Sequence, residues 1–175
     1  IPGKLPVTDR DQPRLIMPFI DKSGNLFGFN ARAFDSNGLR YITIMIDDTM
    51  PKIFGLDDVN FDKTYYVAEG PIDSLFLSNA VAMAGADGNA NGLENTENAV
   101  FVFDNEPRNK EVVARMEKCL DRGYKVCLWP TKVLQKDIND VILTGMSQAS
   151  LELMIDQNTY QGLEGKLQLS AWKKC

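Results

Sequence analysis

From Thr64 onward the chain alternates between short apolar runs and segments of helical periodicity. Tyr65-Tyr66-Val67-Ala68, Ala80 to Ala84, Val100-Phe101-Val102-Phe103 and Val126-Cys127-Leu128-Trp129 each have strand length. The segment Ile72 to Asn79 reads as a helix. A second helix is expected from Asn109 to Arg122, with Val112, Val113, Met116 and Leu120 on one face and Gly123 as the residue that ends it. A short helix over Ile138 to Thr144 ends at Gly145. Ser147 opens another, with Leu151, Leu153, Met154 and Ile155 as its apolar positions. Gly85 to Asn98, rich in Gly, Asn and Asp, reads as a loop. Repeated strand–helix units predict an α/β fold with a mostly parallel sheet covered by helices.

The first part of the chain has a different pattern. Leu15-Ile16-Met17-Pro18-Phe19-Ile20 and Leu26-Phe27-Gly28-Phe29-Asn30-Ala31-Arg32 are strands joined by Asp21-Lys22-Ser23-Gly24-Asn25, a turn with Gly at a positive-φ position. A further strand is expected between Arg40 and Ile46. The division that follows is a small α+β hairpin-containing subdomain over residues 1–62, an α/β domain over 63–146, and a helical extension over 147–175.

Composition narrows the chemistry. A chain of 175 residues buries a real core. No apolar stretch approaches the roughly 20 residues a membrane helix needs, so no membrane partner is expected. The chain opens Ile1-Pro2-Gly3-Lys4, without Met or a signal-peptide pattern, and is expected to be a fragment of a longer protein. There is no His, and Cys119, Cys127 and Cys175 have no metal-ligand spacing. No zinc site and no Ser-His or Cys-His nucleophile are therefore expected. Reduced thiols point to the cytoplasm, and Cys119 and Cys127 are expected in the core. A net charge of −5 argues against a nucleic-acid binder unless bound metal offsets the acids.

Three acidic clusters follow the strands. They are Glu69-Gly70-Pro71-Ile72-Asp73, Asp104-Asn105-Glu106 and Lys136-Asp137-Ile138-Asn139-Asp140. Ligands bind at strand tips in such sheets. Carboxylates gathered there repel one another unless a cation neutralises them, and hard oxygen ligands suit Mg²⁺ or Mn²⁺. Each cluster has a plain structural alternative. Glu69 and Asp73 could serve as a cap or a helix-dipole partner, Asp104 and Glu106 could form a solvated turn, and Asp137 could be a helix N-cap. The order of the three clusters along one sheet is what favours a shared site. Arg14, Arg32, Arg40 and Lys52 flank apolar segments and offer phosphate contacts, or simply solubilise the surface. Phe34, Tyr41 and Phe54 lie nearby, as core residues or as stacking surfaces.

Glu69-Gly-x-x-Asp73 followed by an acidic pair after an apolar strand resembles the Toprim domain of primases, topoisomerases and some nucleases. Lys136-Asp137-Ile138-Asn139-Asp140 resembles a segment of phage primases. Arg14 to Arg32 is similar to the strand–turn–strand that precedes Toprim in bacterial DnaG-type primases, and Pro51 to Leu56 to the stretch linking the two. The similarity runs from about residue 12 to 145 and implies the catalytic core of a DnaG-like primase from a tailed bacteriophage, with a Toprim-like fold. Two departures stand out. Glu106 replaces the second Asp of the usual Asp-x-Asp, and the family's zinc-binding module is missing from this segment.

The resemblance implies RNA primer synthesis on a single-stranded DNA template from ribonucleoside triphosphates, beside a replicative helicase. Asp104, Glu106 and Asp137 are expected to bind two or more Mg²⁺ or Mn²⁺ ions, with Glu69 a ligand or a proton acceptor. Asp73, Asn139 and Asp140 are expected to support them. Arg14, Arg32, Arg40, Lys52 and Lys136 are expected to hold template or triphosphate charge. The rivals are a Toprim-type metal-dependent nuclease and a non-catalytic α/β nucleic-acid-binding module.

Overall fold

The computed structural model describes residues 13–35, 39–84 and 91–175. The opening residues 1–4 and the first part of the expected 85–98 loop, residues 85–90, lie outside the described residues.

Strands β1 (Arg14–Ile20), β2 (Leu26–Ala33) and β3 (Tyr41–Met45) form an antiparallel sheet in that order. Gly24 makes the expected turn at φ 83°, a conformation open to Gly at little cost. Asp21 closes the turn by accepting hydrogen bonds from the backbone N–H groups of Ser23 and Asn25.

The second sheet has six strands. They are β4 (Ile53–Phe54), β5 (Tyr65–Ala68), β6 (Ala80–Met83), β7 (Ala99–Val102), β8 (Lys125–Cys127) and β9 (Thr159–Tyr160), in the order β4-β6-β5-β7-β8-β9. The four inner strands are parallel, and β4 and β9 close the edges antiparallel. β5 and β7 lie at its centre and are buried along their whole length. That explains why they read as unbroken apolar runs: strands covered on both faces have no polar side to show.

The two faces of this sheet carry separate cores. Tyr65, Val67, Val81, Phe101 and Val126 face one side, where Phe19, Phe27 and Met45 of the first sheet join them. Helices α2 (Lys110–Asp121) and α5 (Gly162–Trp172) cover that side through Val112, Met116, Leu120 and Leu169. Gly165 lets α5 approach closely, since a Cβ there would stand 2.5 Å from Leu120 Cδ2. Tyr66, Ala68, Val100, Val102 and Cys127 face the other side, beneath α3 (Ile138–Leu143) and α4 (Gln148–Gln157).

Side chains cap α2 and α4, and the expected Ser147 start and Gly123 end are present. Asn109 accepts from the N–H groups of Glu111 and Val112, Ser147 from that of Ser150, and Gly123 follows α2 at φ 81°. Two expectations change. The helix predicted over Ile72–Asn79 is a single turn, α1 (Pro71–Ser74), because the chain must rejoin the sheet at Ala80. The segment after residue 146 is not purely helical: Thr159–Tyr160 pairs with β8, and the sheet also recruits Ile53–Phe54 from before residue 63. No helix among the described residues is long and apolar enough to cross a membrane.

Candidate active site

A pocket of about 360 Å³ opens where the carboxyl ends of β5 and β7 face the antiparallel sheet. Glu69 follows β5 and Asp104 lies just beyond β7; neighbouring parallel strands in register deliver both to the same edge. Asp73 enters from α1, and Lys136 and Asp137 from the segment leading into α3. Asn30, Arg40, Tyr41 and Thr43 form the opposite wall. The loop carrying Lys136 is tied to the tip of β7 by Asn105. Its N–H donates to the Lys136 carbonyl at 2.6 Å, and its side-chain amide donates to the carbonyls of Val133 and Gln135.

The acids are held apart by basic groups. Lys136 Nζ lies 3.4 Å from Asp104 Oδ2 and 3.9 Å from Glu106 Oε1. Arg115, on α2, donates to both carboxylate oxygens of Glu69 at 3.1 and 3.2 Å and lies over the Phe103 ring. The Asp104 N–H also donates to Glu69 Oε1 at 3.3 Å. Burial pushes the Asp104 carboxyl up to about 6; the charge of Glu69 adds to this and Lys136 opposes it. Asp73 is likewise pushed up to about 6, first by burial and then by Asp137 and Glu69. The Asn139 N–H, 3.0 Å from its Oδ1, and the charge of Arg32 work against the rise. Desolvation pulls Lys136 down, but Asp104, Glu106 and Asp137 outweigh it and hold the ammonium above its usual range.

The remaining predicted residues lie elsewhere or act differently. Glu106 points along the pocket rim, where Asn109 donates to its Oε2 at 3.2 Å, and it does not line the cavity. Asp137 lines the pocket but is also the N-cap of α3, accepting from the Asp140 N–H at 2.8 Å. Asn139 contributes its backbone, and Asp140 lies outside the pocket. Arg14 straps the antiparallel sheet by donating to the carbonyls of Leu39 and Ala31. Lys52 is exposed and away from the cavity. Arg32 and Arg40 flank the half-exposed Tyr41 ring, with guanidinium carbons 5.7 and 5.6 Å from its centroid.

Among the described residues, no three His, Cys, Asp or Glu side chains are grouped so as to hold one metal ion. The donor chemistry nevertheless fits a hard divalent cation. Asp104, Asp73 and Glu69 offer carboxylate oxygens, the donor type such ions prefer, and Lys136 and Arg115 partly neutralise them.

Sequence reasoning missed Arg115, Asn105 and Asn30. Arg115 had a signal: it falls three residues after Val112 and beside Met116, next to the buried face of α2.

Comparison with known proteins followed this geometry. No protein-family model matches the chain. It is 35% identical over 166 residues to the DNA primase of Enterobacteria phage T4, covering 93% of this chain and 48% of that protein. The chain thus spans about half the length of the curated relative it matches. It superposes on the E. coli primase catalytic core with a TM-score of 0.68 at 20% identity, covering 96% of this chain and 61% of that one. A DnaG primase catalytic domain bound to single-stranded DNA matches with a TM-score of 0.62 at 21% identity, covering 85% and 53%. The fold is that of a DnaG primase catalytic core, and the sequence is related to a phage primase.

Proposed function

From the fold of a DnaG primase core and kinship with a phage primase, we propose that this chain is the catalytic segment of a DNA primase. It joins ribonucleoside triphosphates into short RNA primers on single-stranded DNA, in the cytoplasm of the host and beside a replicative helicase. The observation that carries this reading is the pocket itself, where carboxylates from two parallel strand tips face an Arg- and Tyr-bearing wall.

Glu69, Asp73, Asp104 and Asp137, all lining the cavity, would hold Mg²⁺ or Mn²⁺, with Glu106 outside the lining beside Lys136. A divalent ion held there would supply charge to activate a 3′ oxygen and to stabilise departing pyrophosphate. The protein's own part is positional. Arg115 fixes the Glu69 carboxylate, Asn105 fixes the Lys136 loop, and Lys136 places a cation beside Asp104 for triphosphate oxygens. Arg40, Arg32 and Tyr41 offer phosphate contacts and a stacking face for template or nucleotide. Arg14 and Lys52 do not line the cavity, so their charge would act on template or triphosphate from outside it. The antiparallel sheet preceding the acids is what favours synthesis over the hydrolysis of a Toprim-type nuclease.

The test is primer synthesis on single-stranded DNA with labelled ribonucleotides, with and without Mg²⁺. Short RNA products that require the metal are expected. Degradation of the template without synthesis would establish the nuclease, and neither activity, with no nucleotide bound, would leave a binding module.

A further inference from the structure

The pocket wall opposite the acids contains an unusual polar group. Asn30 lies in the middle of β2 and is only 4% exposed. Its amide nitrogen donates to Thr43 Oγ1 at 3.0 Å, across the rung that pairs the two residues. Its Oδ1 has no partner. Among the described residues, only Arg14 Nε shares that condition. An unpaired buried carbonyl costs roughly 1–3 kcal/mol, so a native protein keeps one when something else fills it.

The register shows what reaches it. Arg32 pairs with Tyr41 on the next rung of the same face, two residues along. Two residues of strand span on the order of 7 Å. A base stacked on Tyr41 with its sugar directed along the strands toward Asn30 and Thr43, which both line the cavity, would bring its ribose to that rung. We propose that Asn30 reads the sugar, its Oδ1 accepting a hydrogen bond from the 2′-hydroxyl of a bound ribonucleotide. Thr43 Oγ1 accepts from the amide nitrogen, which leaves the oxygen as the unpaired end of the group. A site built around such a bond rejects the deoxy analogue because the carbonyl is then left unpaired.

This rests on the primase reading, and the experiment separates the two. ATP and 2′-deoxy-ATP are titrated against the whole chain with Mg²⁺, in the wild type, Asn30→Ala and Thr43→Val. The wild type is expected to bind ATP about tenfold more tightly than 2′-deoxy-ATP. Asn30→Ala should weaken ATP binding, leave 2′-deoxy-ATP nearly unchanged, and reduce the ratio to about twofold. Thr43→Val should reduce the ratio by a smaller factor. Equal affinity for both nucleotides in the wild type overturns the role of Asn30 without any variant being needed, and leaves the primase reading standing. Equal weakening of both nucleotides by Asn30→Ala also overturns it. Failure of the wild type to bind either nucleotide removes the primase reading and this inference with it.

Discussion

Arg115 grips Glu69 through a single guanidinium nitrogen, 3.1 Å from one carboxylate oxygen and 3.2 Å from the other. The pair joins the middle of α2 to the tip of β5, and both side chains are about four-fifths buried. Glu69 therefore cannot swing freely between the cavity and solvent. Removing the guanidinium leaves a largely buried carboxylate without its cation. Arg115→Ala should lower stability by about 1–3 kcal/mol and cut primer synthesis at least tenfold. Arg115→Lys should recover most of the stability and less of the synthesis, because an ammonium lacks the flat guanidinium that lies over the Phe103 ring while holding Glu69. Thermal denaturation beside the primer assay checks both. Full synthesis in Arg115→Ala would show that Glu69 needs no such anchor.

The raised pKa of Asp104 makes a signed prediction. Its carboxyl ionises near 6 in the fold against 3.8 for a free aspartate, so the folded state favours the protonated form. That contribution to stability is complete below about pH 4 and is lost as pH rises through 6. At pH 7.5 without metal, Asp104→Asn should therefore stabilise the protein, by on the order of 1 kcal/mol or about 3 °C in Tm. The gain should vanish near pH 4. The same variant should abolish nucleotide polymerisation. A loss of Tm at pH 7.5 would mean that the Lys136 contact outweighs the burial.

Protonation also limits the reaction. With Asp73 and Asp104 both titrating near 6 in the metal-free protein, primer synthesis at limiting Mg²⁺ should fall between about pH 7 and 5.5 as protons compete with the metal, and added Mg²⁺ should move the fall to lower pH. A rate profile over that interval checks it, and a flat profile would place the essential acids elsewhere.

Tyr41 stands between two guanidinium groups with its ring 43% exposed. Truncating it to Ala should weaken single-stranded DNA or nucleotide binding by about tenfold, the worth of roughly one stacked base, without changing Tm. Fluorescence anisotropy at matched salt reads this. By contrast, Lys52→Ala should shift affinity only through its charge, since its side chain is exposed and outside the cavity.

Leu169 shows that the end of the chain belongs to the core. It is buried in the same cluster as Phe101, Met116 and Leu120. Leu169→Ala should cost about 2–4 kcal/mol, seen as a Tm drop of roughly 8 °C, while nucleotide affinity at low temperature stays unchanged. A negligible drop would mean that α5 is only loosely attached.

Much of this was legible from residue pattern. The β5 and β7 runs, the Ser147 helix start and the Gly24 turn are set by local chemistry, so they could be read one segment at a time. The gathering of Glu69, Asp104 and Asp137 followed from strand order. What escaped was set by tertiary contact. β9 is two residues long and exists because β8 offers an edge. α1 stops early because Ala80 must return to the sheet. Arg115 and Asn105 matter through partners 46 and 28 residues away, which no local window contains.

The most direct test of the account is Mn²⁺ titration followed by electron paramagnetic resonance, on the wild type and on Asp104→Asn at pH 7.5. The account predicts specific binding to the wild type that competes with Mg²⁺, weakened at least tenfold in the variant. Equal Mn²⁺ binding by both proteins, or none by either, would contradict the claim that carboxylates at the β5 and β7 tips share a divalent ion.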